Sequence, residues 1–109
     1  MIKQINTEIV TTTFFHIIKG KLDWIILFYS GKSNRIDCFT LLQNVREELN
    51  LLECILSQVQ EFEIAERLNA MCKKIAHTSD LDKVYQLANE CYKEIKQLES
   101  DVKKELERS

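Results

Sequence analysis

Apolar residues recur along the last third of the chain at Leu81, Val84, Ala88, Cys91, Ile95, Leu98 and Val102, in alternating steps of three and four. That is the period of a helix offering one seam to a neighbour. A second stripe, Cys38, Leu42, Val45, Leu49, Leu52, Leu56 and Val59, keeps the same step, so two long helices can each cover the other. A third, Val10, Phe14, Ile18, Leu22, Ile25 and Tyr29, predicts a helix from about Thr7 to Tyr29 with Asn6 or Thr7 as its cap. Its apolar arc is wider than one core face needs, because Phe15, Ile17, Trp24, Ile26, Leu27 and Phe28 surround the stripe. Such a helix either lies at the centre of a bundle or meets another chain.

The boundaries come from polar residues. Ser30–Asn34 reads as a loop, with Asn34 capping a second helix from about Arg35 and Asp37 close to its exposed amides. The second stripe fails after Val59: the next steps land on Glu63 and Glu66, while Phe62, Ala65, Leu68, Cys72 and Ile75 define a shifted face. A break or a kink therefore falls between Gln58 and Glu61, with no turn residue to say which. At His77–Asp80, Ser79 and Asp82 resemble a capping box opening the final helix, whose last turns are charged and put Glu99 one turn from Lys103. The expected fold is all-α: a single domain over residues 1–109, built as an antiparallel up-and-down four-helix bundle.

Composition supports this. With no proline and two glycines, Gly20 and Gly31, little is available for the tight turns of a sandwich or barrel. A chain of 109 residues, 45% hydrophobic and 29% charged, has the make-up of one packed core. The cysteines, Cys38, Cys54, Cys72 and Cys91, fall at or beside apolar helical positions, so four buried thiols in a reducing cytoplasm are expected. The opening MIKQINTEIV lacks the order of a secretory signal, and Lys19, Lys21 and Asp23 interrupt the most apolar block, which argues against a membrane span.

Charge is uneven. Residues 37–70 carry two basic against seven acidic side chains, whereas the flanking thirds are basic or balanced. Glu47, Glu48, Glu53, Glu61, Glu63 and Glu66 give an acidic face that repels nucleic acid and suits a basic protein partner. Tyr85 and Tyr92, seven residues apart beside the last seam, are candidate contact anchors. Catalytic groups are hard to find: neither His16 nor His77 stands in a pattern with a nucleophile, and neither follows a glutamate by three residues as di-metal bundles require. No metal or cofactor is expected.

The segment His16-Ile17-Ile18-Lys19-Gly20 resembles the H-x-x-K-G core of histidine phosphotransfer domains, which are four-helix bundles. The resemblance implies that His16 would carry a phosphoryl group, Lys19 would help neutralise it and Gly20 would leave room for a response regulator. It covers five residues; Lys21, Leu22, Asp23, Trp24 and Ile25 depart from the small residues that usually follow. A second register, in which Ala65-Glu66-Arg67-Leu68 with Cys72 and then Ser79-Asp80-Leu81 is similar to the family's later stretch, puts Cys54 at the histidine position and Ser57 and Gln58 at those of lysine and glycine. That relative would be inactive. The leading expectation is a small acidic protein-binding module, with Glu47, Glu48, Glu61, Glu63, Glu66, Tyr85 and Tyr92 as its partner-binding residues. A phosphotransfer carrier is the alternative, and a self-associating bundle, a homodimer through Trp24 and Phe28, the second alternative.

Overall fold

A computed structural model describes residues 2–29, 32–78 and 80–108, and the side-chain surroundings of 9–29, 34–78 and 80–104. Helices α1 (Ile2–Phe28), α2 (Lys32–Gln58), α3 (Phe62–Ala76) and α4 (Val84–Arg108) account for nearly all of them, with a short 3-10 turn, Leu81–Lys83, leading into α4. Helix α2 packs on α1 and α3, and α4 packs chiefly on α1. Their apolar seams meet in one core that includes Leu22, Leu42, Leu49, Leu68, Ala88 and Ile95.

The seams of α2 and α4 follow the sequence period, from Cys38 to Leu56 and from Val84 to Leu98, with Leu81 and Val102 half-buried at the margins. In α1 the inner seam is Thr11, Phe15, Ile18, Leu22 and Ile25; Val10 and Phe14 are only half-buried. Two successive steps of four back from Ile18 overshoot the 3.6-residue period, whereas three and then four keep to it. Phe62 is a second correction, since it is exposed while Ile64 and Met71 join Ala65, Leu68, Cys72 and Ile75 in the core.

Helix α1 begins at Ile2, so Asn6 and Thr7 lie within it rather than capping it, and Asn34 lies inside α2. Ser30 and Gly31 of the expected loop, and Ser79 of the expected capping box, lie outside the described residues. Asp80 takes the capping role, its Oδ1 accepting the Asp82 N–H at 2.9 Å.

Between α2 and α3 the chain breaks rather than kinks. The Glu61 N–H donates to the Leu56 carbonyl (2.9 Å) and the Gln60 N–H to that of Ser57 (3.1 Å), the paired bonds of a Schellman ending. This motif needs a left-handed residue at its centre, and Gln60 supplies it with φ 67°. Glutamine is strained there. Gln60→Gly should raise stability by about 1 kcal/mol, read as a higher urea midpoint; no gain would show that the glutamine side chain compensates for its backbone.

Polar contacts pin the helices at their margins. Lys19 donates to both carboxylate oxygens of Glu99 (2.8 and 3.0 Å), so Glu99 serves α1 and not the expected Lys103. Lys21 pairs with Glu48 and Asn44 on α2, and the Tyr29 hydroxyl donates to the Leu81 carbonyl. Arg67 on α3 bridges Glu94 (3.0 Å) and Asp101 (2.8 Å) on α4. Its hydrogen bond, with a further one from Gln97, holds the Asp101 carboxyl below the usual range. Such part-exposed pairs add little stability but fix which helix edges meet.

Candidate functional site

The acidic residues separate into engaged and free ones. Glu48 is tied to Lys21. Among the described residues Glu47, Glu53, Glu61, Glu63 and Glu66 make no ion pair, and Glu47, Glu63 and Glu66 are exposed. The Schellman ending at Gln60 turns the chain sharply enough that Glu61, Phe62 and Glu63 emerge together where α3 starts. Phe62 is 64% exposed there. Spacing alone places it in the core. Flanking glutamates are no signal of this, since Ile95 is fully buried between Glu94 and Lys96.

Tyr85 and Tyr92 do not join this cluster. Tyr85 is exposed and stacks on Tyr29 with ring centroids 5.5 Å apart, beside Arg35, whose guanidinium lies 5.3 Å over the Tyr29 ring and pairs with Asp82 at 2.9 Å. Burial pushes the Tyr29 hydroxyl above its usual pKa, while Arg35 pulls it down. From Arg35 to Gln58 the chain climbs the whole of α2, roughly 35 Å at the helical rise, so the tyrosine pair and the acidic turn lie at opposite ends of that helix. Tyr92 is half-buried against the core with the Lys96 ammonium 5.6 Å over its ring, the arrangement of a residue sealing a core margin.

His16 is exposed on α1, and a Cβ added at Gly20 would meet nothing within 4 Å. Lys19, which the phosphotransfer resemblance would use against a phosphate, is engaged by Glu99. In the second register, Cys54 and Gln58 are exposed and Ser57 is half-buried on α2. Next to Gly20 a groove of about 600 Å³ opens between α1 and α2, lined by Ile17, Trp24, Thr40 and Leu41 among others. Nothing in the stripe pattern announced it, because its walls come from two helices.

Three thiols are buried, and Cys54 corrects the expectation of four by lying exposed. Burial pushes Cys72 up to about 11 and Cys91 up to about 12, with neighbouring carboxylates adding to the shift. A thiol must ionise to react, so iodoacetamide at pH 8 should label Cys54 in the folded protein well before Cys72 and Cys91. Equal labelling of all four, read by peptide mass spectrometry, would contradict this packing. Among the described residues no helix is long and apolar enough to cross a membrane. No family model matches the sequence, and neither curated proteins nor solved structures give a match.

Proposed function

We propose that the chain is a small protein-binding module that covers a basic surface of another protein, in the manner of an inhibitor, immunity protein, antitoxin or chaperone. One observation carries this reading: a large aromatic ring, Phe62, is left in water between Glu61 and Glu63, with Glu66 one turn on and no ion partner for any of the three among the described residues. A desolvated ring supplies binding energy, and unpaired charge around it steers a partner of opposite sign. The reading narrows the candidate surface to the α2–α3 turn and leaves out Glu47, which is exposed but stands mid-way along α2, as well as Glu48, Tyr85 and Tyr92.

The reading takes the four helices to run up and down, antiparallel to their neighbours. In support, Tyr29 late in α1 meets Leu81 just before α4 while Lys19 meets Glu99, and Ile25 meets Cys38 while Lys21 meets Glu48. A reducing cytoplasmic setting goes with four free thiols. Phosphotransfer is the lesser reading: exposed His16 and open space at Gly20 favour it, and the engagement of Lys19 counts against it.

Co-purification from the native host with mass spectrometry would supply the partner. Against it, the triple reversal Glu61→Lys, Glu63→Lys and Glu66→Lys should slow association by about tenfold and invert its salt dependence, while Phe62→Ala should speed dissociation. Association rates unchanged by the reversal would remove the acidic turn from the interface.

A further inference from the structure

Helix α1 carries two seams. The inner one, Thr11, Phe15, Ile18, Leu22 and Ile25, is buried. On roughly the opposite side stand Thr13, Ile17, Gly20, Trp24 and Leu27, at steps of four, three, four and three. Ile17, Trp24 and Leu27 are 43%, 39% and 72% exposed, and Gly20 faces open space. A run at this step is what one helix shows another in a coiled coil, and among the described helices α2 flanks it along one side only, where Ile17, Gly20 and Trp24 form one wall of the groove described above.

We propose that this outer seam is covered by α1 of a second copy, running antiparallel across a two-fold axis. Size selects the partner and its direction. In one antiparallel register Ile17 shares a layer with the partner's Gly20, and Trp24 with the partner's Thr13, so these central layers each set a large side chain against a small one, Leu27 falls opposite the partner's Val10, and the axis repeats every pairing. A parallel pair would stack Trp24 on the partner's Trp24 and leave a void between the two glycines.

Hydrogen-bonding complementarity selects the same register independently. His16 and Asp23 are exposed and lie two turns apart on one edge of the seam. The antiparallel register sets His16 beside the partner's Asp23, twice per dimer. Lys19 and Lys21, which flank Gly20, are held by Glu99 and Glu48 of their own chain and do not repel the approaching helix. A foreign helix would have to supply a small residue, a bulky one and an acid at matching heights; a second copy has all three. This surface is separate from the α2–α3 turn, so the dimer goes beyond the partner-binding reading and stands or falls without it. It would cover His16 and so exclude phosphotransfer.

Sedimentation equilibrium of the full chain at about 100 µM decides the matter. The expected mass is twice 12.8 kDa, falling to that of the monomer in Trp24→Glu with helicity by circular dichroism unchanged. Should Trp24→Glu lose helicity, Leu27→Glu, at the most exposed of the seam's large apolar side chains, replaces it and should likewise give a folded monomer. Asp23→Arg should weaken the dimer by about threefold to tenfold, and adding His16→Asp should restore it. A monomeric wild type, or a dimer that survives both glutamate variants, overturns the proposal; a dimer indifferent to the charge exchange overturns the antiparallel register.

Discussion

Leu49→Ala should lower the folding stability by about 3 kcal/mol, seen as a reduced urea midpoint at unchanged slope. Leu49 is fully buried in the helix that packs on both α1 and α3. The truncation removes about three carbons from a site whose walls belong to several helices, and those walls cannot all move inward to fill the space. Leu51, two residues on, is 54% exposed. Leu51→Ala should change stability by less than about 0.5 kcal/mol, which makes the pair a test of which face of α2 is inside. Comparable losses at both positions would mean that the helix is rotated or that both faces are covered.

Thr11→Val should act in the opposite direction and stabilise the fold by about 1–2 kcal/mol. Thr11 is 2% exposed, and its hydroxyl has no hydrogen-bond partner among the described residues. Valine keeps the branched shape, replaces the stranded hydroxyl with a methyl and has a similar helix propensity. The thermal midpoint should rise by about 5 °C. A lower midpoint would show that the hydroxyl is satisfied after all, by a carbonyl of the preceding turn or by a water molecule.

The helices of this protein were legible because burial on one face leaves a period. Along α2, every residue from Cys38 to Leu56 in the stripe is buried, and α4 behaves the same way between Val84 and Leu98. In α1 the period was blurred, since Ile17, Trp24 and Leu27 on the outside are as apolar as Ile18, Leu22 and Ile25 on the inside. A two-sided helix gives no contrast from which to choose the inner register, and Thr11, the one polar member of the inner seam, hid it further. The α2–α3 break was visible as a phase change, but its turn was not. Gln60 does the work that glycine or asparagine usually does, and a side chain says little about the sign of its own φ.

The candidate site residues were legible as a class and not as a place. The acidic excess in the middle third was plain in the sequence, yet only the fold divides Glu48, spent on Lys21, from Glu61, Glu63 and Glu66. Tyr85 and Tyr92 share a helix edge by count, and their neighbours give them different jobs: Tyr85 stacks on Tyr29, while Tyr92 lies under Lys96. Those neighbours come from elsewhere in the chain or from rotamer choice, neither of which a linear spacing encodes.

Lys19 and Glu99 are joined across 80 residues of chain. A ribosome adds about 5–20 residues each second, so roughly 4–16 s separate the synthesis of these two partners. During that interval the inner face of the first helix has no fourth helix to lie against, and it is open to chaperones and to neighbouring nascent chains. Slower translation between Gly20 and Glu99 would lengthen that exposure, which ties the yield of folded protein to the pace at which it is made.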